Sequence, residues 1–158
     1  MAPGNLYLSF ELNGNLFGID VLLVREVIHD FEATPVETAT DIVRGLINLR
    51  GQLVTLLDLG PRIGGGERAP GAAAHCVILK TSTELAAAGR SEFAAGMPEE
   101  TVGLVVDGIG DVVAPAAESV GPAPANLAGV NEEYVAAVAL LEGKLMMLMD
   151  VSRALAPE

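Results

Sequence analysis

Two aspartates, Asp58 and Asp150, end similar apolar segments in the two halves of this chain, and they are the strongest hint of catalysis. Two related β lobes that each supply one aspartate are the plan of an aspartic protease, whose paired carboxylates share a proton. In that class Thr or Ser and then Gly follow the aspartate, whereas Leu-Gly and Val-Ser follow here. We therefore favour aspartates that end strands, cap the following turn or helix and keep their charge in solvent, with the hydrolase as a distant alternative.

The remaining reactive residues predict neither a metal centre nor a nucleophile. His29 and His75 are isolated in the sequence, whereas a zinc site needs three or four ligands at recognisable spacing. Cys76 precedes an apolar Val-Ile-Leu and is interpreted as a small buried hydrophobe, because the adjacent His75 would point to the opposite face of a strand. The glycine run 64–66 lacks the Lys-Ser/Thr of a phosphate-binding loop and indicates a flexible linker. We expect no cofactor, no metal and no catalytic residue.

The charge balance excludes several classes of partner. The 158 residues carry 9 Lys and Arg against 21 Asp and Glu, a net charge of −12. Nucleic-acid binding and attachment to an anionic membrane both require a basic face, so neither is expected. The N-terminus does not resemble a signal peptide, and no apolar run approaches the length of about 20 residues that a membrane helix needs. A single cysteine fits a reducing compartment, and we predict a cytoplasmic protein.

The elements that must position these residues are short strands. Apolar blocks of strand length recur between Gly, Asp and Pro every 8–12 residues or so, which predicts a mainly all-β fold with few short helices. Residues 84–95 are rich in alanine but are interrupted by Gly89, so they predict a mobile loop or one marginal helical turn.

The chain is also duplicated. Residues 17–28 align with 102–113, and residues 49–59 align with 141–151. This predicts two β units, approximately 10–70 and 75–155, whose ends can be exchanged between them. Each unit would form a small barrel of about five strands, and Gly51 and Gly143 would lie in tight turns. Because the strands are apolar on both faces, the units should pack against each other around one shared hydrophobic core.

One difference between the two copies points to recognition. Glu26 aligns with Asp111, so the acid occurs in both copies, but Arg50 aligns with Glu142. A surface ion pair contributes little stability, typically under about 1 kcal/mol. An arginine on a hairpin turn is therefore interpreted as a partner contact or as a plain solvated side chain.

These segments resemble the CheW-like family of coupling proteins over about residues 6–156. The matching motifs are Phe10, Phe17-Gly-Ile-Asp20, Val24-Arg-Glu26-Val-Ile28, Gly45-Leu-Ile-Asn-Leu-Arg-Gly51, Asp58-Leu59, Ile63-Gly64, Val102-Gly-Leu-Val-Val-Asp107, Asp111-Val112, Pro122-x-Pro124 and the segment 140–151. The resemblance implies two five-stranded SH3-like barrels around a shared core. It also implies a non-catalytic adaptor that couples methyl-accepting chemoreceptors to the histidine kinase CheA. The partners would be the regulatory domain of the kinase and the cytoplasmic tip of the receptor.

The resemblance also implies the partner-binding residues. Glu26 and Arg50 would be the polar contacts, able to pair with each other, and they would be accompanied on the same side by Val24, Gly45, Asn48 and Leu49. Gly103, Ile109 and Val112 match positions that the family uses in its second unit, although the last two can equally be core residues.

One departure from the family concerns the connection at residues 81–101, which is about a dozen residues longer than usual. As an extended loop it could be inert, add partner specificity or block a usual contact. Two functional alternatives therefore stay open: an adaptor of a related system such as surface sensing or pilus motility, and a stand-alone regulatory domain of a kinase.

Overall fold

Twelve short strands form two six-stranded sheets in the computed structural model, which describes residues 5–36, 42–66, 75–125, 127 and 129–156. Sheet A has the strand order β10-β11-β12-β2-β1-β9, and sheet B has the order β3-β7-β8-β6-β5-β4. The strands are β1 (Tyr7–Leu12), β2 (Asn15–Asp20), β3 (Val24–His29), β4 (Thr34–Pro35), β5 (Val43–Leu49), β6 (Gln52–Leu57), β7 (His75–Leu79), β8 (Val102–Val106), β9 (Gly108–Val113), β10 (Val120–Gly121), β11 (Val135–Leu141) and β12 (Lys144–Met149). The mainly all-β prediction is confirmed, with six strands rather than five in each sheet.

The duplication is visible strand for strand. The β5–β6 and β11–β12 hairpins have the same bounds after a shift of 92 residues, and each ends in a parallel pairing, β6 with β8 and β12 with β2. Each repeat therefore gives its last four strands to one sheet and its first two strands to the other. Neither sheet coincides with the division into 10–70 and 75–155, because the first hairpin of each half pairs across to the other half.

Side chains on alternating positions fill three apolar clusters. The largest lies between the sheets and takes Phe10, Phe17, Val77 and Leu104, and the rings of Phe10 and Phe17 stack with centroids 5.8 Å apart. Smaller clusters cover the other face of each sheet, around Leu56 and Cys76 in sheet B and around Met146 and Leu148 in sheet A. Since strands apolar on both faces must be covered on both faces, this arrangement confirms the predicted shared core.

The described part of the chain also has four short α-helices and three single-turn 3-10 helices. The α-helices are α1 (Gly60–Ile63), α2 (Ser82–Ala87), α3 (Ser91–Ala94) and α4 (Val151–Leu155), and the 3-10 helices are Val21–Leu23, Ala117–Ser119 and Glu132–Tyr134. Among the described residues no helix is long and apolar enough to span a bilayer. The glycine run is packed rather than a free linker, because a Cβ on Gly65 would lie 2.4 Å from Val130 Cγ2 and 2.7 Å from Asn15 Nδ2.

Residues 84–95 contribute to two short helices, α2 and α3, whereas their composition predicts a mobile loop or one marginal helical turn. Thr81 and Glu84 form a capping box that starts α2: the Thr81 hydroxyl accepts from the Glu84 N–H, and the Glu84 carboxylate accepts from the Thr81 N–H. Leu85 is fully buried, and Met97 belongs to the main core. The Thr-x-x-Glu spacing is a signal for the start of a helix, and a prediction based only on alanine content and Gly89 does not include it.

Candidate functional site

Arg50 lies at the tip of the β5–β6 hairpin in an unusual backbone conformation. Its φ is 53° and that of Gly51 is 85°, so both central residues of this two-residue turn have positive φ, as in a type I′ turn. The Asn48 side chain accepts a hydrogen bond from the Gly51 N–H at 2.8 Å and fixes the turn. A non-glycine residue in this region is uncommon, and the Arg50 side chain is 68% exposed. The turn therefore presents a guanidinium to solvent.

Glu26 of β3 is the ion-pair partner of Arg50. In sheet B, β6 lies three positions and β5 four positions from β3, which in a flat sheet would put the hairpin about 14–19 Å away. A Glu–Arg pair cannot bridge that distance, so sheet B must curl until β3 approaches the hairpin. The structure thus brings together the two polar residues that the resemblance implied.

The other four residues of the first unit occupy two kinds of environment. Asn48 is exposed and Leu49 is half-buried directly beside Arg50, and Val24 is half-buried on β3 against the main core. Gly45 is buried under β4, where a Cβ would lie 2.6 Å from the backbone oxygen of Thr34. Asn48 and Leu49 can therefore contribute surface to a contact, whereas Gly45 permits two backbones to approach closely.

The three residues of the second unit lie on β8 and β9, outside the β5–β6 hairpin that carries Arg50. Gly103 is the buried second residue of β8, where a Cβ would lie 2.4 Å from the Sγ of Cys76. Ile109 and Val112 lie on β9, which belongs to sheet A. Ile109 is half-buried against the main core, and Val112 is 50% exposed. Of these three, Val112 offers a large apolar side chain to a partner.

Sequence reasoning missed a polar network beside Arg50. Arg25 pairs with Glu84, and its Nη1 donates to Gln52 Oε1 at 3.2 Å. Gln52 Nε2 in turn donates to Thr101 Oγ1 at 3.1 Å. The capping-box spacing could have located Glu84, but nothing local in the sequence connects it to Arg25, 59 residues away.

The carboxyl group of Glu84 is tuned by this network. Burial by itself raises its pKa, but hydrogen bonds from Arg25 and Thr81 outweigh burial and hold the pKa below its ordinary value. A carboxyl with a lowered folded-state pKa stabilises the fold above its unfolded pKa and loses that contribution as the pH falls through the folded pKa.

We expect the stability difference between the wild type and Glu84→Gln to depend on pH accordingly. It should be at most about 1 kcal/mol at pH 7, as for other ion pairs near the surface, and should shrink toward zero as the pH falls from about 4 toward 2. Urea unfolding at a series of pH values measures it. A difference that stays constant over that range would contradict the assignment of the charged pair.

His29 and His75 are not isolated, contrary to the sequence interpretation. They lie directly opposite each other on β3 and β7, with their Nδ1 atoms 2.5 Å apart and their rings at 84°. The pairing joins residues 46 positions apart, which no local pattern reveals. Within the described residues no group of three His, Cys, Asp or Glu side chains could hold a metal ion.

The two aspartates have structural partners. Asp150 caps α4 by accepting from the Arg153 N–H at 3.2 Å. Asp58 accepts from the Gly60 N–H at 2.9 Å and pairs with Arg44, the extra residue of a bulge in β5. The expectation that Asp58 keeps its charge in solvent is wrong, because this residue is buried. Arg44 supplies the cationic partner that a buried carboxylate needs.

Cys76 is the buried hydrophobe that the sequence predicts, and its reactivity can be tested. Burial raises the pKa of its thiol to about 12, so at pH 8 only about one molecule in ten thousand carries the thiolate. We expect alkylation by iodoacetamide to be at least about a hundredfold slower in the native protein than in urea. Equal rates in the two conditions would contradict the burial of this side chain.

The comparisons with known proteins agree with one another. A family model described as CheW-like domain matches residues 6–157. The chain is 36% identical over 56 residues to the chemotaxis protein CheW of Klebsiella aerogenes, covering 35% of this chain and 34% of that protein. It is 32% identical over 54 residues to the chemotaxis protein CheW of Treponema pallidum, covering 34% and 32%. These alignments span about a third of the length of the curated relatives.

A solved structure extends the likeness to the whole fold. The chain is similar to the scaffolding protein TtCheW from Thermoanaerobacter tengcongensis, with a TM-score of 0.72 over 93% of this chain and 89% of that one. Their sequences are 23% identical, so this likeness concerns the arrangement of strands.

Proposed function

The chain belongs to the CheW-like domain family, and from this we propose that it is a non-catalytic adaptor coupling methyl-accepting chemoreceptors to a histidine kinase of the CheA type. It acts in the cytoplasm during chemotaxis signalling. The observation that carries the proposal is the family match over residues 6–157, nearly the whole chain. One surface binds the regulatory domain of the kinase, and another binds the cytoplasmic tip of a receptor.

The Arg50–Glu26 pair is the polar centre of the proposed contact. Its exposure, its placement on a rigid two-residue turn and its absence from the second copy support this role. Asn48, Leu49 and Val24 supply the surroundings, and Gly45 keeps β4 close to β5. On sheet A we propose that Val112 makes contact directly and that Ile109 supports β9 from inside, while on sheet B Gly103 supports β8 from inside.

Bridging requires no chemical step. An interface of standard size buries about 800 Å² on each partner. Coupling arises when the kinase and the receptor both bias the arrangement of the same scaffold, so that each changes the binding of the other.

A pull-down with the tagged protein from the source cell tests the function. We expect it to recover a histidine kinase and methyl-accepting receptors, identified by mass spectrometry and then confirmed by titration with the purified regulatory domain. Recovery of neither class of protein would overturn the proposal. If the recovered kinase serves surface sensing or pilus motility, the protein is an adaptor of that system instead of chemotaxis.

A further inference from the structure

The segment 81–101 is built into the fold at both of its ends. At its beginning the capping box of Thr81 and Glu84 starts α2, and Leu85 is fully buried. Near its end Gly96 packs so closely on α4 that a Cβ would lie 2.3 Å from the Cβ of Ser152. Thr101 then leads directly into β8 and accepts from Gln52. Because the segment is anchored at both ends, it can hold the residues that it contacts in fixed positions.

It touches the two residues that flank the Arg50–Glu26 pair. Glu84 binds Arg25, the neighbour of Glu26, while Thr101 binds Gln52, which follows the turn that carries Arg50. Arg25 also donates to Gln52, so a chain of contacts runs from Glu84 to Thr101 beside the tip of the hairpin.

A bulge in β3 makes this arrangement possible. Val24 pairs with Leu79 and Glu26 pairs with Ile78, so Arg25 is an extra residue with no place in the regular register. In a regular strand neighbouring side chains point to opposite faces. A bulge re-aims the side chain, and here it allows Arg25 and Glu26 both to reach the β5–β6 hairpin.

We propose that Arg25 and Glu84 are positioning residues through which the segment 81–101 sets the geometry of the Arg50–Glu26 pair, and that the segment thereby determines partner affinity. This rests on the proposed function, because it concerns the same surface. Two long exposed side chains lose conformational freedom when a partner binds, so holding their backbone and neighbours in place beforehand raises affinity. The segment is thus a determinant of partner choice rather than an inert loop.

The decisive experiment is a double-mutant cycle between Glu84 and Arg50. Affinity for the purified kinase regulatory domain is titrated for the wild type, Glu84→Gln, Arg50→Ala and the double variant. We expect Glu84→Gln to lower affinity roughly three- to tenfold in the wild-type background and less than twofold in the Arg50→Ala background. Reversing the pair, with Arg25→Glu and Glu84→Arg together, should restore part of the loss.

The matched control is Glu133→Gln, which removes a carboxylate that pairs with Arg153 of α4 instead of with a residue of the Arg25 network. It should leave affinity unchanged. An equal loss from Glu84→Gln in both backgrounds, or no loss at all, would overturn the positioning role.

A second measurement needs no partner and separates this inference from the proposed function. Hydrogen exchange of the Gly51 amide, which Asn48 holds in the turn, should quicken roughly three- to tenfold in Glu84→Gln. Unchanged exchange would overturn the inference even if the wild type binds the kinase. If the wild type binds neither kinase nor receptor, the proposed function fails, and the exchange result alone decides whether the segment positions the hairpin.

Discussion

Replacing Arg50 by glutamate should lower the affinity for the kinase regulatory domain or the receptor tip by about ten- to a hundredfold and leave the protein folded. Arginine side chains at interface centres are among those whose loss most often costs 2 kcal/mol or more. Charge reversal adds repulsion to this loss, because Glu26 would then face a second carboxylate. Receptor-dependent activation of the kinase in a reconstituted mixture should fall in parallel.

The fold should tolerate the change because the pair is exposed. Such pairs contribute about 0–1 kcal/mol to stability, and the melting temperature should fall by no more than about 4 °C. The matched control is Arg153→Glu, whose arginine is also exposed and also paired with a glutamate, but on α4. Unchanged kinase activation with Arg50→Glu, or an equal loss of activation with Arg153→Glu, would show that Arg50 is not part of the contact.

Replacing Gly103 by valine should destabilise the protein by about 3 kcal/mol, the upper part of the range for overpacked cores. The first added carbon would lie 2.4 Å from Cys76 Sγ and 3.0 Å from Ile78 Cδ1, and both neighbours are fully buried in the sheet B cluster. A loss of this size corresponds to a fall in melting temperature of about 6–12 °C for a chain of this length. Urea and thermal unfolding measure it.

Gly121→Val is the matched control for this effect. Gly121 also lies in a strand, but a Cβ there would meet nothing within 4 Å, so stability should change by less than about 0.5 kcal/mol. Partner affinity of folded Gly103→Val should be close to that of the wild type. An unchanged melting temperature combined with a tenfold loss of affinity would instead place Gly103 in direct contact with a partner.

The β5–β6 hairpin was largely predictable because its signals are local. Apolar blocks of strand length predict its strands, and Gly51 predicts a tight turn with positive φ at this residue. The duplication then predicts the second hairpin at a constant offset. The strands and the turn depend on residues within about ten positions of one another, where backbone geometry restricts the alternatives, and the second hairpin follows by repetition of the same local pattern.

The environment of Glu84, Asp58 and the two histidines could not be predicted in the same way. Their partners lie 14 to 59 residues away along the chain and meet them through strand pairings and bulges. The bulge at Arg25 in β3 changes the direction of the Arg25 side chain. The residue types of Val24-Arg25-Glu26 do not predict this bulge.

The sequence by itself determined that this protein is a duplicated, mainly β, acidic chain whose strands are covered on both faces, with Arg50 as the residue that distinguishes the copies. These properties follow from the amino-acid composition, the spacing of the apolar blocks and the internal repeat of the sequence. Only the tertiary structure decided which strands share a sheet, that Gly103 and Asp58 are buried, and that the segment 81–101 reaches the residues beside the Arg50 turn. The reason is physical: local patterns restrict backbone conformation, whereas contacts between distant segments depend on how whole sheets curl and pack.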